Sequence, residues 1–407
     1  MKNFNEPVYP GAFSYGLEEL NSVEEVILKQ SPFRYYGPSL QGKVNKFEKE
    51  TAYFLGVKHA LAVSSGTAAL IVAMRSMGIG PGDEVIVPAI AFIACAGSVV
   101  ACRAIPVFCD VDKSINIDPD ALKKCISPRT KAIMIVHVQG VSADMDRIME
   151  IANRHRLKVI EDCAQSFGAT YKGRHVGSIG HVGTYSLQIN KTITTGEGGL
   201  VVTNDEELYK RMIMAHDHGS IRDLGGNVVV DEECPGFFGE NYRMSELTGS
   251  VALIQLRKVR DIIDRMRNNA REIKARLSEI QKLEWRLIYD KEGSSYVSLA
   301  VYIPSAEAAV KAQKECYRLK VPGTRLYQGL PIYAYPFVLN KLTYHPSGCP
   351  FTCPYYKGPP IEYHIGMCPK AEDLISRALF IQVSPLLTPE DIDYIINNLK
   401  NILTKVV

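Results

Sequence analysis

The chain has 407 residues, of which 46% are hydrophobic and 22% are charged. This balance is typical of a soluble globular protein, and the length allows one large α/β domain with a smaller second one. The formal charge of +3 is too small to indicate a nucleic-acid partner or an anionic membrane surface, so we expect small-molecule ligands.

The N-terminal residues and the apolar runs of the chain bear on its location. Residues 1–16 lack the basic segment and apolar core of a signal peptide. The longest apolar stretch, residues 85–101, is broken by Pro88 and does not read as a membrane span. We therefore expect a cytoplasmic protein whose ten cysteines are mostly reduced thiols rather than a disulfide framework.

Helices and short apolar strands alternate through the first part of the chain. Residues 1–40 mix Pro, Gly and aromatic residues and should pack as an arm on the body or on another subunit. The hydrophobic pattern then predicts helices at 44–55, 66–77, 92–102, 119–126 and 143–155, and strands at 59–64, 84–87, 106–111, 131–138 and 157–161. This alternation is typical of a mostly parallel sheet that helices cover on both faces.

The rest of the chain predicts the end of the large domain and a second, smaller one. A strand at 199–203 and a helix at 205–215 continue the pattern. Residues 241–280 predict two helices or one bent helix as a bridge. A strand at 296–303 and helices at 306–319 and 389–399 then predict a small α+β domain. We assign residues 1–255 to the arm and the large domain, and 256–407 to the small domain.

Three segments place polar groups where ligands bind in a parallel sheet, at strand ends and helix N-termini. Residues 64–67, SSGT, join a strand to a helix and suit a phosphate, although a plain helix N-cap explains them as well. Asp162 and Gln165 follow a strand, and a buried carboxylate there needs a cation unless it caps the next helix. Ser186 and Lys191 lie in TYSLQINKTITTGEGG, residues 184–199, where an ordinary lysine would be solvated.

Taken together, these segments offer the groups that pyridoxal 5′-phosphate (PLP) requires. They supply an anion cradle, a carboxylate for a ring nitrogen and an amine for an aldehyde. A lysine on the aldehyde and an acid on the pyridine nitrogen are the recognised requirements of PLP enzymes. The combination therefore predicts a PLP site more specifically than any one segment does.

Five stretches of the chain carry a resemblance to a known family. They are SSGTAAL at 64–70, GPGDEVIVPA at 80–89, EDCAQSFGATYKGRHVGSIGHVGTYSL at 161–187, NKTITTGEGGLVVTND at 190–205 and NYRMSEL at 241–247. In this order they resemble the motifs of the DegT/StrS-type sugar aminotransferases. The resemblance implies the PLP-dependent transferase type I fold, as in aspartate aminotransferase, and a homodimer whose active sites take residues from both subunits.

The resemblance also implies a role for each matching residue. Lys191 looks like the Schiff-base lysine, Asp162 like the partner of the pyridine nitrogen, and Gln165 like the residue near the ring hydroxyl. The other implied cofactor contacts are the helix start Ser65, Gly66 and Thr67 with Ser186 for the phosphate, Phe92 stacked on the ring, and Asn241 reaching the phosphate from the partner subunit. His137 stands where the family often has a histidine, and its role is open between a site residue and a packed structural one.

The implied reaction is an amino transfer in two half-reactions. Glutamate or glutamine donates the amino group, and a keto-sugar accepts it, either nucleotide-linked or a free acidic sugar or cyclitol, in amino-sugar biosynthesis. Freed Lys191 acts as general base and acid, which requires a neutral amine. Some relatives with histidine at this position are sugar dehydratases, so the lysine favours transamination. A dehydratase and a catalytically silent sensor are the alternatives.

Two further groups of residues are candidates for binding. Cys349, Cys353 and Cys368, with His345 and His364, could supply zinc ligands, but their irregular spacing favours a bulky surface or interface loop, and we expect no metal. The sugar pocket is expected in loops at 33–37, 222–235 and 327–336. Its candidate residues, each of which also has a structural explanation, are Arg34, Tyr35, His216, Arg243 and Arg325.

Overall fold

A computed structural model of the chain describes residues 2–223, 226–229 and 235–406. The helices of these residues are α1 (Leu17–Leu28), α2 (Lys43–Leu55), α3 (Gly66–Ser76), α4 (Ala94–Ala101), α5 (Pro119–Cys125), α6 (Met145–His155), α7 (Glu206–His216), α8 (Glu246–Leu277), α9 (Ala306–Arg318), α10 (Pro336–Leu339), α11 (Pro369–Arg377) and α12 (Pro389–Leu403). None of them is long and apolar enough to cross a bilayer.

The strands of the same residues form one large sheet and three small ones. They are β1 (His59–Val63), β2 (Glu84–Pro88), β3 (Ile105–Cys109), β4 (Thr130–Val136), β5 (Lys158–Asp162), β6 (Thr170–Tyr171), β7 (Arg174–His175), β8 (Val182–Ser186), β9 (Gly199–Thr203), β10 (Ile221–Arg222), β11 (Val228–Val229), β12 (Glu284–Trp285), β13 (Ser298–Tyr302) and β14 (Ala378–Gln382).

The large sheet has seven strands in the order β1-β9-β8-β5-β4-β2-β3. The five strands from β8 to β3 are parallel, and β9 alone among the seven runs in the opposite direction to the other six. Alternate residues of each strand enter two hydrophobic clusters, one under α2, α6 and α8 and the other under α3, α4 and α7. The predicted mostly parallel sheet with helices on both faces is therefore confirmed, because both of its faces are covered.

The bridge at 241–280 is one helix of 32 residues, α8, rather than two. Ser245 caps it, since its hydroxyl oxygen accepts a hydrogen bond from the backbone N–H of Thr248 at 3.2 Å. The helix packs against α1 and α2 of the large domain and against α12 beyond it. The domain boundary that we assigned at residues 255 and 256 falls inside α8 and stays a prediction.

Beyond α8, a three-stranded antiparallel sheet, β12-β13-β14, carries α9, α11 and α12. The sequence prediction missed β14 and α11. The five residues of β14, ALFIQ, form a short apolar run that periodicity does not separate from a buried helical turn. Pairing with β13 makes it a strand.

The N-terminal arm contains a helix, α1, that the prediction also missed. Gly16 precedes it, and the Gly16 N–H donates to the carboxylate of Glu19 at 2.9 Å. The hydroxyl of Ser22 donates to the carbonyl of Ser250 on α8 at 3.1 Å. The backbone N–H of Gly11 donates to the carbonyl of Lys191 at 3.4 Å. The described arm thus packs on the body of its own chain and lies beside the Lys191 loop.

Candidate active site

A cavity of about 590 Å³ opens at the C-terminal ends of β1, β5 and β8. Eight of the nine residues that we predicted for catalysis and cofactor binding line it: Ser65, Gly66, Thr67, Phe92, Asp162, Gln165, Ser186 and Lys191. These positions span more than a hundred residues of sequence, and they meet because strands of one direction end at the same edge of the sheet. The ninth residue, Asn241, does not line this cavity.

The start of α3 forms one wall of the cavity. Ser65 is its N-cap, and the Ser65 hydroxyl oxygen accepts from the N–H of Ala68 at 3.1 Å. The N–H groups of Gly66 and Thr67 have no backbone acceptor among the described residues. A Cβ added to Gly66 would lie 2.7 Å from the Cβ of Ser186, so glycine is needed for the helix start to approach β8. Free N–H groups at a helix N-terminus suit a bound anion.

Asp162, the last residue of β5, places a buried carboxylate in the same cavity. One oxygen accepts from the backbone N–H of Ala164 at 2.9 Å, and the other accepts from the thiol of Cys95 at 3.2 Å. Burial raises the pKa of Asp162, and these two donors with the charge of Lys191 only partly offset it. Because no cation contacts the carboxylate among the described residues, a protonated ring nitrogen would complete its pairing.

Cys95 is a site residue that the sequence analysis missed. It lies in the apolar run of α4, where a cysteine looks like any small packing residue. Burial and the neighbouring Asp162 raise the pKa of its thiol well above the ordinary value, so the thiol stays protonated and donates. No pattern in the sequence could indicate this contact, because α4 and β5 meet only in the folded chain.

Lys191 lies between β8 and β9, with its backbone N–H donating to the carbonyl of Gln188 at 2.9 Å. Within the described part of the chain, its amine makes no side-chain hydrogen bond. Burial lowers the pKa of Lys191, while the nearby charge of Asp162 acts in the opposite direction. Lys191 is therefore not an ordinary solvated loop lysine: it lines the cavity, and its surroundings lower its pKa.

Gln165 lines the cavity and is held by two side chains from other segments. Its Oε1 accepts from Gln139, both from the backbone N–H at 3.3 Å and from Nε2 at 3.1 Å. Its own Nε2 donates to the phenol oxygen of Tyr327 at 2.9 Å. Tyr327 lies in a loop that we expected to form the sugar pocket, whereas Gln139 was not among the predicted residues.

Known proteins resemble this chain over most of its length. The model of the DegT/DnrJ/EryC1/StrS aminotransferase family matches residues 17–359. The chain belongs to this family. Spore coat polysaccharide biosynthesis protein SpsC of Bacillus subtilis is 32% identical to this aminotransferase over 398 residues, which are 95% of each protein. GDP-perosamine synthase of Caulobacter vibrioides is 47% identical over 218 residues, 53% of this chain and 56% of its own.

A solved structure supports the same conclusion for the fold. The X-ray structure of the aminotransferase from Psychrobacter cryohalolentis has a TM-score of 0.81 and 32% identity, covering 98% of this chain and 100% of that one. The protein is thus a PLP-dependent aminotransferase with the predicted fold. The cavity fits this cofactor on three observations from the described residues: the N–H groups of Gly66 and Thr67 have no backbone acceptor, no cation contacts Asp162, and the amine of Lys191 has no hydrogen-bond partner.

Replacing Gly66 with alanine should weaken PLP binding by about tenfold or more. The added Cβ would lie 2.7 Å from the Cβ of Ser186, which forces the helix start away from the strand that completes the anion cradle. Titration of the apoenzyme with PLP, followed by visible absorption, measures the change. Gly97→Ala is the matched control, because Gly97 lies in α4 with nothing within 4 Å of an added Cβ. Equal affinity in both variants would contradict the cradle.

Asn241 does not line the cavity of its own chain. Its side chain is exposed, and its Oδ1 accepts from the backbone N–H of Arg243 at 3.1 Å. The backbone of Asn241 is bridged to Asp217. The implied contact with a phosphate across a subunit interface is not tested by one chain and stays a prediction.

Three of the five sugar-pocket candidates lie in a buried polar cluster. The guanidinium of Arg34 pairs with both oxygens of Glu48 at 2.9 and 3.0 Å. The phenol of Tyr35 lies 3.2 Å from Nε2 of His216. Burial, with the charge of Arg34, lowers the pKa of His216 to about 3, so this histidine is neutral. None of the three lines the cavity of this chain.

The two remaining candidates also have partners inside the fold. Arg243 pairs with Asp217, and Arg325 donates from Nε and from one terminal nitrogen to the carbonyl of Ser376 at 3.1 and 3.0 Å. Neither lines the cavity. Of the predicted pocket loop at 222–235, residues 224–225 and 230–234 lie outside the described residues.

His137 is a packed histidine rather than a residue of the cavity wall. Its Nδ1 accepts from the backbone N–H of Ala143 at 3.1 Å, so its Nε2 donates to Glu161 at 3.0 Å. The other oxygen of Glu161 accepts backbone N–H bonds from Ile179 and Gly180. His137, Glu161 and the thiol of Cys163 form the one three-residue group of potential metal ligands found within the described residues. Since both histidine nitrogens are engaged, the group serves packing.

The segment at 345–368 packs on the large domain and does not line the cavity. Tyr356 donates to the carboxylate of Glu84 at 2.8 Å, and Tyr363 donates to the carbonyl of Pro106 at 2.6 Å. Its cysteines and histidines do not come together as a ligand group in the described structure. The segment therefore covers the end of the large sheet that carries β3, its edge strand.

Proposed function

We propose that this aminotransferase holds PLP through Lys191 and Asp162 and transfers an amino group from glutamate or glutamine to a keto-sugar. One observation carries the proposal: a partly buried amine without a hydrogen-bond partner in the described chain, a buried carboxylate and a helix N-terminus converge on one cavity of about 590 Å³. Perturbed titratable groups facing a cavity are typical of active sites.

Each lining residue has an assignment in this proposal. Lys191 would hold the aldehyde carbon of PLP, and Asp162 would pair with its protonated ring nitrogen. The N–H groups of Gly66 and Thr67, together with the hydroxyls of Ser65 and Ser186, would bind the phosphate. Phe92, whose ring is exposed and lines the cavity, would stack on the pyridine, and Gln165 would face the ring hydroxyl.

When bound, PLP supplies an electron sink for the α-carbon of the donor amino acid. The amine of Lys191 would accept the proton from that carbon in the first half-reaction and return a proton to the acceptor in the second. Burial lowers the pKa of Lys191, which increases the share of the neutral amine that can accept a proton. The carboxylate of Asp162 would keep the ring nitrogen protonated throughout.

The acceptor class rests on the names of the relatives. GDP-perosamine synthase and a spore coat polysaccharide biosynthesis protein both point to sugar chemistry. We propose a keto-sugar, nucleotide-linked or a free acidic sugar or cyclitol, as the acceptor. The test mixes the holoenzyme first with glutamate or glutamine and then with each of a panel of keto-sugars. The amino acid that is the donor should bleach the visible absorption band, and the keto-sugar that is the acceptor should restore that band. If no keto-sugar restores the band after glutamate or glutamine has bleached it, the acceptor class is wrong.

We propose further that the enzyme is a homodimer with shared active sites, in which Asn241 of each subunit reaches the phosphate site of the other. The side chain of Asn241 is exposed and does not line the cavity of its own chain, which supports this arrangement. We also propose a cytoplasmic location. The nine cysteines of the described residues are all free, as a reducing compartment would keep them.

Mixing two inactive variants should restore activity if the sites are shared. A Lys191→Ala subunit paired with an Asn241→Ala subunit forms one site with both residues intact and one site with neither. After unfolding and refolding together, a random mixture should recover about a quarter of the wild-type activity. Each variant refolded alone is the control. An activity no higher than the sum of the two controls would argue for sites built within single subunits.

A further inference from the structure

The amide of Gln165 has a defined orientation at the cavity wall. A backbone N–H can only donate, so the terminal atom of Gln165 that lies 3.3 Å from the N–H of Gln139 must be the oxygen. The side-chain Nε2 of Gln139 donates to the same oxygen at 3.1 Å. The amide nitrogen of Gln165 therefore points the other way, toward Tyr327 and the cavity.

Tyr327 holds the nitrogen end of the same amide. Its phenol oxygen accepts one N–H of Gln165 at 2.9 Å, and burial raises the pKa of Tyr327 well above its ordinary value, so the phenol stays protonated. An amide nitrogen carries two hydrogens. One hydrogen of Gln165 is thus engaged with Tyr327, and the second is left to donate into the cavity that both residues line.

The backbone at both partners is held in a conformation that non-glycine residues rarely adopt. Gln139 has a φ of 52°, and Tyr327 and Gln328 have φ values of 51° and 58°. Left-handed conformations of this kind are unfavourable for residues with a Cβ, and they persist where the surrounding structure imposes them, commonly at functional sites. Here they present one side chain to each end of the Gln165 amide.

We propose that Gln139 and Tyr327 are positioning residues that lock the amide of Gln165 so that it donates a hydrogen bond to the ring hydroxyl oxygen of PLP. The proposal rests on the proposed function, which puts Gln165 beside that oxygen. Without the lock, rotation of the amide would bring its own oxygen toward the ring oxygen, and two acceptors would face each other.

The lock has a spectroscopic consequence. A donor to the ring oxygen withdraws negative charge from it and stabilises its ionised form. The visible absorption of bound PLP changes with pH as the protonation of the cofactor changes, and its midpoint reports this charge. Loss of the donor makes the ring oxygen more basic and should raise the midpoint by about one pH unit, the shift that one hydrogen bond of ordinary strength supplies.

The main test exchanges a donor for an acceptor at position 139. In Gln139→Glu, a carboxylate would face the oxygen of Gln165 and favour rotation of the amide, although the backbone N–H of residue 139 still donates to that oxygen. The midpoint should therefore rise by up to about one pH unit. Gln165→Leu, which removes the amide altogether, should raise it by at least as much. In the double variant, the Gln139→Glu change should add nothing further, because its effect passes through Gln165.

The controls separate the lock from other effects. If the new charge acts directly on the cofactor, the Gln139→Glu shift will persist in the Gln165→Leu background, and the proposal is overturned. Tyr327→Phe keeps the shape of the ring and removes only the acceptor, so a smaller rise is expected. Tyr363→Phe is the matched control, since the hydroxyl of Tyr363 donates to Pro106 on another face, and it should leave the midpoint unchanged.

The outcomes also distinguish this proposal from the proposed function. A wild-type protein that takes up no PLP would overturn the assigned cofactor site together with the lock. A wild-type protein that binds PLP, with midpoints unchanged in Gln139→Glu and in Tyr327→Phe, would overturn the lock alone. Circular dichroism of each variant confirms that the protein measured is folded.

Discussion

Replacing Lys191 with alanine should abolish amino transfer while most of the PLP affinity is retained. The phosphate cradle and Asp162 stay in place, but no amine is left to accept the proton from the donor α-carbon. Proton transfer by a positioned side chain contributes about two to four orders of magnitude. The covalent attachment of PLP is lost as well, so we expect turnover to fall by about three orders of magnitude or more. Steady-state turnover and absorption of the purified variant measure the two effects.

The Lys191 experiment has three controls. Borohydride treatment of the wild-type holoenzyme should fix PLP irreversibly to the peptide that carries Lys191, and mass spectrometry should find no such adduct in the variant. A small external amine should restore part of the turnover, because it replaces the missing base. Lys58→Ala, which removes an exposed lysine outside the cavity, should behave as wild type. Full turnover by Lys191→Ala would remove this residue from the mechanism.

Replacing Asp162 with asparagine should lower turnover by about two to three orders of magnitude and weaken PLP binding. The amide has the same shape, but it lacks the charge that keeps the ring nitrogen protonated. Turnover and PLP titration of the variant measure the loss. Asp146→Asn is the matched control, because Asp146 is an exposed carboxylate paired with Lys172 outside the cavity.

Asp162→Asn should raise the stability of the apoenzyme, although it lowers turnover. Burial raises the pKa of Asp162, so the folded state binds this proton more tightly than the unfolded state does. The contribution of Asp162 to stability therefore falls as the pH rises from its unfolded pKa through the raised folded value. At neutral pH the variant apoenzyme should have the higher Tm, and the difference should shrink in acid. A lower Tm at neutral pH would contradict the buried, unpaired carboxylate.

Much of the fold follows from local patterns in the sequence. Gly56 ends α2 with a φ of 68°, and Thr388 caps α12 with Pro389 in its first turn, both of which are residue types typical of those positions. The apolar strands were recognisable because a parallel strand is buried on both faces. The helix α1 and the strand β14 were missed, since a short apolar or amphipathic stretch acquires its structure from the surface on which it packs.

The candidate site also contains some residues that the sequence indicates and others that it does not. Lys191, Asp162 and the helix start at Gly66 were predictable for two reasons. Each belongs to a stretch whose neighbouring residues indicate its chemistry, and each stretch lies where ligands bind in the predicted sheet, at a strand end or a helix N-terminus. Cys95 and Gln139 were not predictable, because each acts through a residue of another segment. A cysteine in an apolar helix and a glutamine after a strand are also common in any sequence. The five pocket candidates outside the cavity were selected by type alone, and burial gives them other partners.

The sequence by itself determined the class of sheet and indicated the cofactor, together with the amine that we propose serves it. Those features depend on hydrophobic periodicity and on groups that are complementary to PLP. Only the tertiary structure decided how Asp162 and Gln165 are held, because the thiol of Cys95, the left-handed backbone at Gln139 and the phenol of Tyr327 come from segments far apart in the chain. Contacts of that kind exist only once β5, α4 and the small domain have packed together, so no local pattern in the sequence predicts them.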